Sequence, residues 1–482
     1  MNYSVVIYIL GWIMEIEAAF LALPGIVSAI YGESGGFAFL WVALGSAVAG
    51  SMIILHKPKN MRFYLREGFV TVALSWILMS VIGCLPFVIN GDIPHFADAL
   101  FEMISGFTTT GATVVSDVEG LTKGSLFWRS FSHWIGGMGV LVFLLAIVPM
   151  AGGSHMNLMK AESPGPSVGK LVPKVRQTAK YLYIIYFTLT MIEVIFLLFG
   201  GMNLFEALTT SFGTAGTGGF AIWNDGFVSV SPYNQWVVTI FMLLFGVNFG
   251  FYFLILTGKL RDALKFEEVR IYFIIVIAAA VFIFINLRHF ALYAPAEGIR
   301  QAFFQVASII TTTGFASADF NLWPETSRTI LVLLMFIGAC AGSTGGGIKV
   351  SRFIIACKSF IKEIISYLHP RSVKKIKIEG KPLEHETLRA TNVYFMTYMV
   401  IFAVSVLLVS IENKDLVTNF AAVAATFNNI GPGLSLVGPM ANFGHFTDFT
   451  KYILMFDMLA GRLEIFPMML LFCPAVWKRR RA

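Results

Sequence analysis

Apolar residues in this chain gather into long unbroken runs rather than recurring at every second position or every third to fourth. Ten runs approach or exceed the roughly 20 residues needed to cross about 30 Å of hydrocarbon. They lie at 5–30, 36–55, 69–90, 126–150, 181–200, 234–257, 271–290, 328–356, 391–411 and 451–477. A helix without a polar face has no side to offer water, so the pattern predicts ten membrane spans. The first run, within Met1–Ile30, has no basic leading segment and outlasts a signal-peptide core, and is read as a retained span.

Between the spans the pattern repeats. After the third, fifth, seventh and ninth spans the linker holds a short apolar, helix-like stretch that stops at Thr, Asn and Gly. The four stretches are Phe101–Val115, Ala207–Ala221, Ala302–Ala316 and Ala421–Ser435, and aligning them brings Gly111, Gly218, Gly314 and Gly431 to one point. One such loop reads as a glycine-rich outer turn; four at matched positions read as a repeated unit of span, re-entrant loop and span. The predicted fold is an all-α polytopic membrane protein with four pseudo-symmetric span–pore loop–span repeats around one pore, plus two extra N-terminal spans. The divisions fall at 1–66 for the two extra spans, then 67–180, 181–268, 269–388 and 389–482 for the repeats.

Composition agrees. Of 482 residues 57% are hydrophobic and only 13% charged, where a soluble domain carries about 25% charged. Most of the 35 Lys and Arg residues fall in His56–Arg66, His155–Lys180, Gly258–Arg270, Arg352–Arg389 and Lys478–Arg481. These segments follow every second span, the positive-inside pattern, which places both termini in the cytoplasm and the turn Tyr31–Gly36 outside. The net charge of +7 is thereby topological, and no nucleic-acid partner is expected. The basic inner segments can dock a cytosolic partner or anionic membrane lipid. Cys84, Cys340, Cys357 and Cys473 stand far apart with no CxxC, so neither a disulfide framework nor a zinc site is expected.

The loop chemistry suits a desolvated cation. A helix that enters the membrane halfway and turns back ends in unpaired carbonyls at the negative pole of its dipole. Four such ends around an axis can replace the water shell of an ion with carbonyl oxygens, and glycine permits the turn. Candidate ligands are Thr109, Thr110 and Gly111; Thr217 and Gly218; Thr312, Thr313 and Gly314; and Asn429, Ile430 and Gly431. The hydroxyls of Thr108–Thr110 and Thr311–Thr313 can add oxygens or brace the loop from behind.

A second feature interrupts the eighth span, where Gly338–Lys349 carries five glycines with Ser343 and Thr344. Each interior glycine disfavours helix by roughly 1 kcal/mol against alanine. Gly342, Ser343, Thr344, Gly345, Gly346 and Gly347 therefore read as an unwound intramembrane gate, with Lys349 at its inner end as a gate residue or a snorkelling lysine. The other reading is a small-residue helix contact through Gly338, Gly342 and Gly346. A phosphate loop is excluded, since no GK[ST] follows. Arg462, deep in the last span, must face protein or water, or pair with a carboxylate such as Asp457; Glu464 points to a different side.

Trp128–Val140, Gly338–Phe353 and Gly461–Phe466, with the four loops and ten-span layout, resemble the Trk/Ktr/HKT superfamily of potassium transporters over the whole chain. The two extra N-terminal spans make it similar to the TrkH-type membrane subunit rather than the shorter Ktr type. The resemblance implies potassium uptake across the cytoplasmic (inner) membrane, with K+ at the filter as the transported ion and no covalently bound cofactor. It further implies a separate cytosolic nucleotide-binding regulatory subunit, a homodimer, and a pore position for Arg462 against the gate loop. Plant relatives with serine in the first filter position are associated with sodium transport; Gly111 here implies potassium selectivity. Two departures, Thr214–Thr217 in the second loop and Asn428–Pro432 in the fourth, predict a chemically unequal ring.

A secondary transporter of another cation or of a small organic solute is the alternative, but its repeats are usually inverted, whereas these share one orientation. No cluster of Asp, His or Glu near an interface suggests catalysis, so no catalytic residue and no enzyme activity are expected. Glu15, Glu17 and Glu193 in apolar spans read as a proton path or, for the first two, as contacts to a dimer partner or headgroups. His133 reads as a packed, hydrogen-bonded core histidine.

Overall fold

The computed structural model describes residues 1–61, 64–147, 175–370 and 375–478. Most of the basic segment 155–180, together with Arg62, Arg371, Lys374 and Arg479–Arg481, lies outside them. The regular structure of the described residues is helical apart from a small antiparallel hairpin, Lys377–Ile378 with Lys381–Pro382, inside the inner basic segment. Among the described residues six helices are long and apolar enough to cross a membrane, seven if one bent pair is counted as a span.

The two N-terminal spans, Tyr3–Ile30 and Gly36–Leu55, form an antiparallel pair held through small residues. A Cβ on Gly50 would stand 2.9 Å from the Gly11 carbonyl oxygen and 3.2 Å from Met14 Cβ. In lipid this closeness carries much of the association, because apolar side chains gain little by leaving hydrocarbon for protein.

Each repeat then supplies a span, a short helix and a second span. The short helices are Phe96–Phe107, Leu204–Gly216, Pro295–Ile310 and Leu416–Phe427. Their starts follow local sequence logic. Asn203 and Glu206 form a reciprocal capping box, the Asp415 side chain accepts from Thr418 N–H at 3.0 Å, and Pro295 opens the third helix.

Of the second spans, the sixth and tenth depart from the sequence expectation of continuous helices, while the eighth is interrupted where its glycines predicted. The fourth span, Lys123–Ile147, is unbroken. The sixth divides into Pro232–Phe245 and Phe249–Leu256, bent by 88° at Gly246–Asn248. Asn248 explains the break, since its side chain caps the second half by accepting from Gly250 N–H at 2.8 Å. The eighth divides into Glu325–Met335 and Val350–Leu368, and the stretch between is not helical. The tenth breaks after Arg462, where Glu464 and Ile465 take φ of 58° and 68° before Phe466–Leu471 resumes. Uniform hydrophobicity concealed the sixth and tenth breaks, because a run of apolar residues reports burial in lipid and not the path of the backbone.

Replacing Gly50 by valine is expected to part the N-terminal pair at a cost of about 1–3 kcal/mol. A lowered thermal midpoint of the detergent-solubilised chain, read by size-exclusion fluorescence, checks this; an unchanged midpoint refutes the close contact.

Candidate cation pathway

The four short helices end alike. Each ends in a non-glycine residue in the left-handed region, Thr109, Thr217, Thr312 and Asn429 with φ of 55–58°. Two positions later a glycine also has positive φ: Gly111 at 78°, Gly219 at 78°, Gly314 at 83° and Gly431 at 98°. The intervening N–H groups of Thr110, Gly218, Thr313 and Ile430 donate back to carbonyls five residues earlier at 2.8–2.9 Å. The second loop is thus registered one residue away from the alignment predicted from sequence. Gly219, not Gly218, matches Gly111, and Gly218 occupies the place of Thr110. The consecutive glycines of Thr217-Gly218-Gly219 left either register open to sequence alone.

These glycines close a ring. A Cβ on Gly111 would overlap the carbonyl oxygen of Gly218; on Gly219, that of Thr313; on Gly314, that of Ile430; and on Gly431, that of Thr110. Each loop therefore abuts the next, and the fourth abuts the first. The outer segments close a second circuit. Val118 N–H donates to Asn224 Oδ1 (2.7 Å), Phe227 N–H to the Ala316 carbonyl (2.8 Å), Asn321 Nδ2 to the Ser435 carbonyl (3.2 Å) and Phe443 N–H to the Thr113 carbonyl (2.8 Å). Outside the ring lies a vestibule of about 120 Å³ lined by all four glycines. At its rim Asn224 Nδ2 donates to Asp117 at 2.9 Å, which with the Gly120 N–H holds that carboxyl below its usual range.

Side chains behind the ring hold it. Thr108 and Thr110 share a hydroxyl–hydroxyl bond of 2.8 Å, and Thr311 and Thr313 one of 2.7 Å. His133 in the fourth span joins two loops: its Nδ1 lies 2.8 Å from the Gly106 carbonyl and its Nε2 accepts from Phe220 N–H at 3.2 Å. That is the packed, hydrogen-bonded role expected of it. The sequence reading passed over Glu102 and Arg129. They form a buried ion pair at 2.7 Å, where Glu102 also takes the Thr113 hydroxyl (2.9 Å) and Val114 N–H (3.0 Å). The Arg129 guanidinium lies 4.2 Å from the Phe220 ring centroid, so the pair braces the first loop against the second. One carboxylate and one guanidinium in neighbouring apolar segments were the available signal.

The glycine-rich stretch of the eighth span runs against the inner side of this ring. Gly346 N–H donates to Thr312 Oγ1 at 2.7 Å. A Cβ on Gly345 would stand 3.0 Å from the Thr311 carbonyl oxygen, and one on Gly346 would stand 2.7 Å from Asn429 Cβ. Arg462 crosses to the stretch, donating Nη1 to the Thr344 carbonyl and Nη2 to the Gly136 carbonyl, each at 2.8 Å. It meets no carboxylate among the described residues. Asp457 instead accepts from Ser405 (2.6 Å), and Glu464 pairs with Arg352, which stacks on Tyr394. Lys349 does not snorkel to an interface: it is buried, and its ammonium donates to the carbonyls of Gly345 and Gly346. The glycines thus serve close approach to the loops, not one face of a continuous helix.

The intramembrane glutamates divide. Glu15 accepts from Ser51 at 2.6 Å. Glu17 is fully buried beside Gly83, so it contacts neither a dimer partner nor headgroups, and Glu193 faces Thr214 of the second short helix. Cys84 and Cys340 are buried, Cys357 and Cys473 exposed, and all four are free thiols.

Comparison with known proteins agrees with this arrangement. The sequence model of the TrkH family, described as a cation transport protein, matches residues 37–479. The chain is 36% identical to the Trk system potassium uptake protein TrkH of Escherichia coli (strain K12), over 99% of this chain and 100% of that protein. It is 31% identical to TrkG of the same organism, over 99% of this chain and 99% of that protein. The crystal structure of the potassium transporter TrkH from Vibrio parahaemolyticus superposes with a TM-score of 0.89 at 32% identity, covering 99% of this chain and 100% of that one. On fold, loop ring and sequence together, the chain belongs to the TrkH family of cation transport proteins.

Proposed function

We propose that this chain carries potassium into the cell across the cytoplasmic membrane, along the axis enclosed by the four loops. The observation that carries the reading is the closed cycle in which each ring glycine abuts the carbonyl of the next repeat. Four backbones meet there without a charged side chain, the environment that substitutes carbonyl oxygens for the hydration shell of a cation. Thr109, Thr110 and Gly111, Thr217 to Gly219, Thr312 to Gly314 and Asn429 to Gly431 form the filter in this reading. The ion is potassium rather than another cation because the relatives' names specify potassium uptake.

The stretch Gly342–Gly347 is the gate, tied by Arg462 and Lys349 directly beneath the filter. The division into two leading spans and four repeats, with both termini cytoplasmic, belongs to the same reading. So do a homodimer and a cytosolic nucleotide-binding subunit docked on the inner basic segments. The ion passes through without chemical change.

Two outcomes test this. Gly111→Ser and Gly219→Ser should each lower the potassium-to-sodium flux ratio in proteoliposomes while leaving the chain inserted. A cost of about 1.4 kcal/mol falling on the potassium-occupied filter alone lowers the ratio about tenfold. An unchanged ratio in folded protein removes the ring from the filter. Arg462→Ala should raise basal rubidium uptake with selectivity preserved, since it frees the loop and leaves the ring intact. Equal or lower uptake from monodisperse protein would return the glycine stretch to a packing role.

A further inference from the structure

The seventh span, Glu267–His289, opens with two adjacent carboxylates that face different neighbours. Glu268 is buried, 6% exposed, and its Oε1 accepts the N–H of Ala341 at 2.7 Å and that of Ser351 at 2.9 Å. Those two residues stand on either side of Gly342–Lys349, so one carboxylate oxygen holds both feet of the loop beneath the ring. The Asn248 side chain, in the break of the sixth span, faces the same carboxylate. Backbone bonds close the junction: Cys340 N–H donates to the Gly246 carbonyl and Phe249 N–H to the Gly342 carbonyl, each at 3.0 Å. Glu267 points the other way and pairs at 2.6 Å with Lys358, on the helix that follows the loop. Glu268 itself forms no salt bridge among the described residues.

We propose that Glu268 is the positioning residue of the intramembrane loop: by holding the N–H groups of Ala341 and Ser351 on one oxygen, it sets the separation of the loop's feet and keeps its crest against Thr312 and Asn429. The proposal rests on reading that loop as the gate. A short loop between two helices has few internal bonds, so its shape is set at its ends. The breaks in the sixth and eighth spans leave N–H groups at membrane depth that need an acceptor, and Glu268 provides it for both feet. What the loop requires of this position is an acceptor oxygen at the reach of a glutamyl chain. Glutamine has the same reach and keeps that oxygen; aspartate keeps the charge but is one methylene shorter.

The experiment measures rubidium uptake, with sodium as competitor, into liposomes carrying the purified full chain. The variants are Glu268→Ala, Glu268→Asp, Glu268→Gln and Arg462→Ala, each shown to be monodisperse. Glu268→Ala and Glu268→Asp are expected to raise basal uptake on the order of tenfold at an unchanged rubidium-to-sodium ratio, about the net worth of one intramolecular hydrogen bond. Glu268→Gln is expected to stay at the parent level. A merely structural role predicts lost uptake in all three, and would not make glutamine rescue what aspartate cannot.

If Glu268→Gln behaves as Glu268→Ala, charge rather than reach is at work and the proposal is overturned. If Arg462→Ala raises uptake while Glu268→Asp and Glu268→Ala do not, the gate stands and the anchor is wrong. If no variant raises uptake, the gate reading fails and the anchor fails with it. Should the alanine variant not fold, the contrast between aspartate and glutamine decides alone.

Discussion

Backbone that leaves the helix inside a membrane must find new partners for its N–H and C=O groups, and that requirement organises this molecule. The four loops meet it by turning back on themselves. Thr110, Gly218, Thr313 and Ile430 each return an N–H to the helix they have just left. The carbonyls of these same four residues accept no hydrogen bond among the described residues and stand against the ring glycines. Reaching this path puts Thr109, Thr217, Thr312 and Asn429 into the left-handed region, at about 1–3 kcal/mol for each residue so held. Three of the four are β-branched, for which positive φ is a true outlier. Such strain persists only where the surroundings over-determine it. The neighbouring carbonyls, the threonine hydroxyl pairs, His133 and the Glu102–Arg129 pair supply that confinement.

The same requirement applies to the inner stretch, with a different solution. Its carbonyls are met by cations and its N–H groups by carboxylate and hydroxyl oxygens. Arg462 and Lys349 donate to Thr344, Gly345 and Gly346, while Glu268 and Thr312 accept from Ala341, Ser351 and Gly346. A guanidinium at this depth costs several kcal/mol unless its donors are satisfied; Arg462 gives Nη1 to the loop carbonyl of Thr344 and Nη2 to the mid-helix carbonyl of Gly136, with no counter-ion among the described residues. The Arg462 guanidinium beneath the proposed filter, with no carboxylate on it among the described residues, would also oppose a cation leaving the ring inward while the loop is in place.

Legibility in the sequence followed the physics of each signal. Spans and their order were readable because lipid demands length and apolarity, and the re-entrant stretches because the pattern came four times. The glycine-rich interruption of the eighth span stood out since adjacent Gly345–Gly347 exceeds what helix packing needs. The register of the second loop was not readable, because Gly218 and Gly219 are chemically identical and only the backbone separates them. The breaks at Asn248 and at Glu464–Ile465 were hidden for a related reason: hydrophobicity records the solvent of a side chain and carries no account of φ. Lys349 was misplaced as a possible snorkelling residue since sequence position near a span end says nothing of a loop folding back over it. Glu102 and Arg129 were visible as charges in apolar segments, but their pairing depends on the first repeat's short helix meeting its own second span.

One covalent chain, rather than four identical subunits, makes an unequal ring available. The position just inside the ring has four different fates. The Thr109 hydroxyl has no partner among the described residues, and that of Thr217 bonds to the Gly216 carbonyl. Thr312 is taken by Gly346 N–H, and Asn429 Nδ2 reaches Thr110 Oγ1 at 3.0 Å and the Met458 carbonyl at 2.9 Å. A fourfold-identical filter would have to present the same surface to any gate on every side. Here, among the described residues, the glycines of the intramembrane stretch meet the ring at the third and fourth loops, and asparagine in the fourth suits both tasks. It adopts positive φ more readily than threonine, and its amide ties the fourth loop to the first and to the helix that carries Arg462. The departure from threonine in the fourth loop therefore lies where the ring, the last span and the proposed gate converge, and symmetry is given up at the side where the intramembrane stretch meets the ring.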